Sequence, residues 1–169
     1  TGTDRIFEAY QKIKPNNVDY IINLQGDEPM IDIEDIKNLN TNAIKKNSEI
    51  ATLACKIKDK NILNKSNIVK VITNEKISKE NMTIANTFLR EVSLNINENI
   101  YHHIGIYMYK ASILEKFIHL KQSKNEIDRK LEQMRAIDNK IKINVILANS
   151  TPVGVDTKED FLELKKIMK

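Results

Sequence analysis

The sequence predicts one α/β domain, a layered sandwich around a largely parallel sheet. Helical and strand-like segments alternate along the chain, and the strand-like segments are short and β-branched. The 169 residues suffice for one domain with a sizeable core. No apolar run approaches the roughly 20 residues that a membrane-spanning helix needs. We therefore expect a soluble, cytoplasmic protein that does not contact membranes.

In the first half of the chain, apolar spacing predicts two helices and three strands. A helix over residues 4–14 has its apolar side chains on one face and ends at Pro15. The same spacing predicts a helix over residues 32–46, and a short helix is expected around Asn61. Apolar runs rich in β-branched residues predict strands at 18–24, 50–57 and 68–72.

Residues 73–99 are the least readable part of the chain. They are rich in Asn, Lys, Glu and Ser, with only scattered apolar residues. We therefore expect a mobile or dimer-forming insertion at about 73–100 within the single domain 1–169.

In the second half, alternation over residues 103–109 predicts a strand in which Gly105 marks a bulge or a close backbone approach. Ser123 and Glu126 have the spacing of a capping box, which predicts a helix running to about residue 137. The remaining predicted elements are helices over 111–119 and 158–168 and a strand over 141–147.

Charge and cysteine content exclude several classes of function. The net charge of +4 comes from 27 basic and 23 acidic residues spread along the chain with few aromatics, which disfavours a nucleic-acid groove. The only cysteine, Cys55, lies in an apolar run, so an internal disulfide and a cysteine zinc cluster are excluded. We expect Cys55 to be a core residue in a reducing compartment.

Asp27 is the best single candidate for a functional residue. It follows the buried-strand pattern of residues 18–24, after the Gln25-Gly26 break. Ligands gather at the carboxyl ends of strands in open α/β sheets, where a carboxylate reaches a divalent cation such as Mg²⁺. The alternative, a turn or helix-capping role for Asp27 and Glu28, stays open on spacing alone.

Asp156 is a second candidate, near the end of the chain. It precedes Thr157, which is placed to cap the last helix, so a helix-start role without chemistry is the simpler interpretation of Asp156 alone. Together with Asp27 it predicts a different arrangement. In this predicted arrangement, two carboxylates from separate strand ends bind one Mg²⁺ beside the phosphates of a nucleotide.

Seven segments carry a resemblance to a known family, in its order and with compatible spacing: TGTDR at 1–5, NLQGDEPM at 23–30, ATLAC at 51–55, NIVKVI at 67–72, HIGIYMY at 103–109, LEQMR at 131–135 and GVDTKEDF at 154–161. With these segments the chain resembles the CMP-Kdo synthetases, the 3-deoxy-manno-octulosonate cytidylyltransferases. The resemblance implies a Rossmann-like nucleotidyltransferase sandwich. It covers nearly the whole chain and about the C-terminal two-thirds of a complete member.

The resemblance also implies roles for individual residues. Nucleotide contacts fall on Gly2, Thr3 and Arg5, and Mg²⁺ contacts on the catalytic residues Asp27 and Asp156. Contacts to the acidic sugar fall on Gln25, His103, Tyr107, Glu132 and Gln133. Core roles for His103 and Tyr107, and a surface role for the Glu132-Gln133 pair, remain the alternatives.

In this family the anomeric hydroxyl of Kdo attacks the α-phosphorus of CTP, pyrophosphate leaves, and CMP-Kdo enters lipopolysaccharide synthesis. The resemblance further implies a homodimer. Two departures keep other readings open, namely a cytidylyltransferase for a different acidic sugar such as a nonulosonate, and a non-catalytic paralogue or fragment.

The first departure is that the chain starts in mid-turn at Thr1, so we expect the family's first strand and phosphate loop to be missing from it. The second concerns the family's Phe-Ser-Arg motif, whose arginine faces the substrate carboxylate. No match for it is found in residues 73–100, where Arg90 is a substitute only by guess.

Overall fold

The computed structural model describes residues 1–13, 15–26, 29–92, 99–149 and 158–167. The helices are α1 Gly2–Ile13, α2 Ile33–Lys45, α3 Ala111–Ile118, α4 Lys124–Arg129, α5 Met134–Asp138 and α6 Lys158–Ile167. The strands are β1 Tyr20–Asn23, β2 Ile50–Cys55, β3 Lys70–Thr73, β4 Thr83–Leu89, β5 Asn99–Lys110 and β6 Ile143–Leu147, and a 3₁₀ helix covers Lys60–Asn64.

Local side-chain bonds define two of the predicted helix starts. The Asp32 side chain accepts a 2.9 Å hydrogen bond from the Glu34 amide and so caps α2. At α4 the Ser123 hydroxyl accepts from the Glu126 amide while the Glu126 carboxylate accepts from the Ser123 amide. The predicted capping box is therefore confirmed.

The described strands form one mixed sheet in the order β1-β5-β2-β6-β4-β3, and β5 also pairs with β3. Strands β1, β2, β3 and β6 share one direction, but β4 and β5 run against them. The layered α/β architecture is confirmed, and the sheet that was predicted to be largely parallel is mixed. Among the described pairings only β2–β6 is parallel, because antiparallel β5 lies between β1 and β2.

The register of β5 against β2 confirms the bulge at Gly105. Thr52 lies opposite Tyr107, whereas the next residue, Leu53, lies opposite Ile104. Gly105 and Ile106 are therefore the extra residues on β5. A Cβ at Gly105 would meet nothing within 4 Å, so the alternative of a close backbone approach is not what the structure shows.

Each face of the sheet has its own apolar core. One core packs α1, α3 and the 131–137 region against the sheet and includes Phe88 and Phe117. The other packs α2 against the opposite face and includes Leu39 and Cys55, so the predicted core role of Cys55 is confirmed. Within the described residues, no helix is both long enough and apolar enough to span a bilayer.

Residues 73–92 contain a strand that the sequence analysis missed. β4 pairs with β3 and β6, and Met82, Ala85 and Phe88 of this region are buried. Alternation is weak here because polar Thr and Asn separate the buried positions. Thr83–Leu89 of this segment is therefore part of the sheet. Residues 93–98 lie outside the described part of the chain.

The single helix predicted over 123–137 is two helices. Lys130 has φ 53° and ψ 47°, a left-handed conformation that ends α4, and α5 begins only at Met134. Leu131 is buried after the break, which draws the chain back to the core. Glu132 and Gln133 consequently lie on a connecting segment and not on a continuous helical face.

Candidate functional site

A cleft of about 520 Å³ opens between the first turns of α1 and the carboxyl end of β1. Its polar and small lining residues include Gly2, Arg5, Asn23, Gln25 and Gly26 of the TGTDR and NLQGDEPM segments, and Ile6, Ala9 and Leu24 add apolar surface. The structure therefore brings together three predicted site residues, Gly2, Arg5 and Gln25, at the strand end where ligands gather in α/β sheets.

The absence of a side chain at Gly2 contributes to this cleft. A Cβ at Gly2 would lie 3.4 Å from the side-chain nitrogen of Gln25 and 3.9 Å from that of Asn23. Arg5 is exposed, and no described residue forms a hydrogen bond or ion pair with its guanidinium. The cleft thus combines amide groups with a guanidinium that has no partner in the described part of the chain, a set of donors suited to an anionic ligand.

Glu132 lies on the other side of the same turn. Its Oε2 accepts a 2.8 Å hydrogen bond from the Thr3 hydroxyl, and its Oε1 accepts a 2.7 Å bond from the Thr1 hydroxyl. Thr3 is buried, whereas Gly2 and Arg5 line the cleft. Glu132 therefore connects the 131–135 segment to the turn that carries the cleft.

A buried ion pair between Arg135 and Glu126 lies next to Glu132. Arg135 donates two hydrogen bonds to Glu126, at 2.8 and 2.5 Å, and its Nη2 lies 3.6 Å from Glu132 Oε1. Its guanidinium also stands 4.8 Å from the centre of the Phe117 ring. The bond to Glu126 raises the pKa of Arg135. Burial pushes the pKa of Glu126 up, but the bonds from Arg135 and Gln122 outweigh it and the net shift is down.

Two tyrosines of β5 face this network. Burial raises the pKa of Tyr109, and a hydrogen bond with Thr3 opposes that rise. Burial also raises the pKa of Tyr107, with Tyr109 and Glu132 adding to it. The Tyr107 hydroxyl is buried and has no hydrogen-bond partner among the described residues. A ligand hydroxyl would satisfy this group, since unpaired buried polar atoms are costly.

His103 is deeply buried in the core. Its Nε2 lies 3.0 Å from the Thr52 hydroxyl oxygen, which also lies 2.7 Å from the Ile106 carbonyl oxygen and 3.2 Å from that of Ile104. Its ring stands edge-on to Phe88 at 5.1 Å, and burial lowers its pKa to about 3. His103 does not line the cleft with Arg5, and its described contacts are those of the core alternative.

Asp27 and Asp156 lie outside the described residues, so the predicted pairing of these carboxylates stays a prediction. Elsewhere, in the described ranges, no group of three or more His, Cys, Asp or Glu is arranged to hold a metal. Gln133 is half-buried at the start of α5, and within the described ranges its side chain makes no hydrogen bond.

Arg90 occupies a position that the sequence analysis treated only as a guess. Phe88-Leu89-Arg90 has the Phe and Arg spacing of the Phe-Ser-Arg motif and differs from it at the middle residue, so residues 73–100 do contain a partial match to it. The Arg90 guanidinium donates to the carbonyls of Ser66, Arg129 and Lys130. In this structure Arg90 therefore stabilises the left-handed conformation that ends α4 before Glu132.

The profile of the cytidylyltransferase family matches residues 1–143. The chain belongs to this family. The 3-deoxy-manno-octulosonate cytidylyltransferase of Agrobacterium fabrum is 37% identical over 99% of this chain and 66% of its own length. That of Cytophaga hutchinsonii is 39% identical over 97% and 67%. The chain thus spans about two thirds of these relatives.

Solved structures agree with the family assignment. A CMP:2-keto-3-deoxy-manno-octonic acid synthetase complexed with CTP superposes with a TM-score of 0.86 and 30% identity, covering 99% of this chain and 68% of that one. A UDP-glucose pyrophosphorylase, at 14% identity and a TM-score of 0.68, shows the shared fold alone. The resemblance to CMP-Kdo synthetases and the nucleotidyltransferase sandwich are therefore confirmed.

Proposed function

We propose that this protein transfers CMP from CTP to the anomeric hydroxyl of Kdo, which releases pyrophosphate and yields CMP-Kdo for lipopolysaccharide synthesis. The observation that carries the proposal is the Arg5–Gln25 cleft. Residues of two separate family segments meet there, at a strand end, in a chain of the cytidylyltransferase family.

In this reaction a bond forms between the anomeric oxygen and the α-phosphorus, and the α-phosphorus loses its bond to the pyrophosphate oxygen. The hydroxyl proton is released. Such a transfer needs positioning and charge neutralisation more than a covalent intermediate. Arg5 supplies a cation for the phosphates, the Gln25 amide orients the substrate, and Tyr107 and Gln133 offer hydroxyl and amide groups to the sugar acid.

Asp27 and Asp156 would hold Mg²⁺, which neutralises the triphosphate when bound. The carboxylate oxygens are the donors that Mg²⁺ prefers, and Asp27 follows the described Gln25-Gly26 end of the cleft by one residue. The donor chemistry therefore fits this ion. We further propose that the protein acts in the cytoplasm as a homodimer, as its resemblance to CMP-Kdo synthetases implies. Light scattering on the purified protein tests the dimer.

Pyrophosphate release from CTP, Kdo and Mg²⁺ by the intact gene product tests the activity. We expect Asp27→Asn to lower the rate by at least about 100-fold with little loss of stability, because a bound metal supplies several kcal/mol of charge stabilisation. Asp59→Asn is the matched control. Asp59 is an exposed carboxylate that caps the 3₁₀ helix, a role that asparagine also fills. An unchanged rate in Asp27→Asn would make that carboxylate structural.

A different acidic sugar is the second candidate acceptor, because the chain departs from the family's Phe-Ser-Arg motif at Leu89. The Arg90 guanidinium is bonded to three main-chain carbonyls, so it is not directed at a substrate carboxylate. A side-by-side assay with Kdo and a nonulosonate separates the two acceptors. Turnover with the nonulosonate and none with Kdo would transfer the assignment to the second candidate.

A further inference from the structure

Another cavity, of about 180 Å³, opens where the parallel strands β2 and β6 end. Three lysines line it, Lys56 and Lys58 directly after β2 and Lys79 in the loop between β3 and β4. We call it the lysine cavity. It shares no lining residue with the Arg5–Gln25 cleft. Its other lining residues are Cys55, Leu147, Ala148 and Asn149.

The loop that carries Lys79 is bonded to the sheet and to α2. The Leu147 amide at the end of β6 donates a 3.2 Å hydrogen bond to the Ser78 carbonyl. The Asn38 side chain of α2 donates a 3.0 Å bond to the carbonyl of Lys79 itself. The backbone on this side of the lysine cavity is therefore held in place, although the lysine side chain is long and exposed.

The other two lysines approach the cavity from β2. Lys56 and Lys58 are two residues apart, and both line the cavity, as alternate side chains of an extended segment do. The segment continues the strand, whose last residue, Cys55, also lines the cavity. The lysine cavity thus receives positive charge from two separate parts of the chain.

The three ammonium groups have no hydrogen bond or ion pair with any residue that the structure describes. The carboxylates next to them in sequence are engaged within their own segments. Asp59 accepts a hydrogen bond from the Asn61 amide, and Glu80 accepts one from the Ser78 hydroxyl. Like charges that face one cavity repel each other, and an anion bound between them replaces this repulsion by attraction.

The lysine cavity lies on the α2 face of the sheet. Cys55 and Ala148 belong to the core that packs against α2, whereas Tyr107 belongs to the core of the opposite face. Asn149 is fixed to α2 as well, because its amide donates to both carboxylate oxygens of Asp35, at 2.8 and 3.0 Å. The sheet therefore separates the lysine cavity from the tyrosine that the proposed function assigns to the sugar acid.

We propose that the lysine cavity binds a small, multiply charged anion of the phosphate class, inorganic pyrophosphate. Ammonium groups bind phosphate oxygens as point charges, and three of them on one cavity match an anion with more than one charge. The volume is below the roughly 300 Å³ at which pockets for drug-sized ligands begin, so the cavity suits a free anion and not a whole nucleotide. The proposed reaction releases such an anion, but binding at this cavity does not require that reaction.

Calorimetric titration of the intact gene product with sodium pyrophosphate, without nucleotide or divalent metal, tests the site. We expect Lys56→Gln/Lys79→Gln to weaken pyrophosphate binding by about tenfold, because each contact between exposed opposite charges changes affinity a few-fold. Lys60→Gln/Lys76→Gln is the matched control, since both residues are exposed and neither lines the cavity. It removes the same charge, and we expect it to change the affinity by less than about twofold.

Three results of this titration would overturn the proposal. The first is that the unchanged protein binds no pyrophosphate. The second is equal weakening in the two double variants, which would show general electrostatic attraction in place of a site. The third is a loss of pyrophosphate binding in Arg5→Gln and none in Lys56→Gln/Lys79→Gln, which would place the anion in the cleft.

Titration of Lys56→Gln/Lys79→Gln with CTP and Mg²⁺ separates a free anion from the phosphates of a nucleotide. We expect unchanged CTP affinity, because the lysine cavity and the cleft have no lining residue in common. Weaker CTP binding in this variant would make the lysines part of the nucleotide site and contradict the proposal. The pyrophosphate titration needs neither CTP nor sugar acid, so this proposal and the proposed function can fail separately.

Discussion

The four arginines of this chain lie in two contrasting settings. Arg90, Arg129 and Arg135 have their guanidinium groups bonded to carbonyl, hydroxyl or carboxylate oxygens of the protein. Arg5 lines an open cleft and has no such partner within the described residues. The difference teaches that the same side chain stabilises the fold where its donors are satisfied and is available to a ligand where they are not.

The two settings also differ in what they join. The three bonded arginines cluster around the segment 126–135, where they link β4, α4 and α5. That cluster sets the position of Glu132, and through Thr3 it reaches the turn that presents Arg5. The bonded arginines are therefore connected, through Glu132 and Thr3, to the helical turn that carries Arg5.

Arg135→Met gives the largest effect expected from this contrast. It leaves Glu126, which is only 4% exposed, as a buried carboxylate without its cation. Removing one partner of a buried ion pair costs about 3–5 kcal/mol, so we expect the free energy of unfolding to fall by that amount in urea denaturation.

The double variant Glu126→Gln/Arg135→Met is the control for this prediction. It removes the buried charge along with its partner, and we expect it to recover much of the lost stability. Equal stabilities of Arg135→Met and the unchanged protein would show that the ion pair does not support the fold, and the contrast with Arg5 would disappear.

Arg5→Gln reverses the pattern. We expect no change in the free energy of unfolding, because no described residue depends on the Arg5 guanidinium. CTP affinity is expected to fall about tenfold to a hundredfold, which is the loss of one charge-assisted contact to phosphate. Calorimetric titration with CTP measures it.

Lys12→Gln is the matched control for Arg5→Gln. Lys12 lies on the same helix and its ammonium pairs with Glu8 on an exposed face, outside the cleft. The Lys12→Gln change removes the same charge as Arg5→Gln. Equal effects of the two changes on CTP affinity would show that Arg5 acts only through general electrostatic attraction.

His103 extends the contrast to a buried base whose ring contacts other residues of the core. Burial lowers its pKa from 6.5 to about 3, so between these values the unfolded state binds the extra proton. Its contribution to stability is complete above pH 6.5 and is lost as the pH falls toward 3. We expect the unchanged protein to lose about 2 kcal/mol more than His103→Gln between pH 7 and pH 5, measured by urea denaturation.

His119→Gln checks whether this pH dependence belongs to the buried ring, because His119 is exposed. A similar flattening of the pH profile in His119→Gln would contradict the assignment to His103.

Strong periodicity made most of the fold predictable from sequence. The helix of residues 33–45 and the strand of residues 50–55 follow from the spacing of their apolar residues. β4 was missed because its buried positions Ala85 and Phe88 are separated by polar residues, and its identity as a strand depends on partners distant in sequence. The break at Lys130 was missed because lysine has no intrinsic preference for a left-handed conformation.

The candidate site was predictable in part. The family resemblance implied nucleotide contacts for Gly2 and Arg5 and a sugar contact for Gln25, and the structure places all three along one cleft. The contact between Thr3 and Glu132 was not predictable, because it joins residues far apart in the chain through one hydroxyl. Hydrogen bonds of this kind depend on the packed arrangement and leave no periodic signal in the sequence.

The pairing of β5 with both β2 and β3 closes five strands, β5, β2, β6, β4 and β3, into a ring. Only β3 and β4 are neighbours in sequence among the pairs of that ring. Most of the strand pairs in the ring therefore join segments that are distant in sequence, and such non-local contacts slow folding. During synthesis the ring stays open until β6 has left the ribosome, so the strand that completes it is among the last to be made.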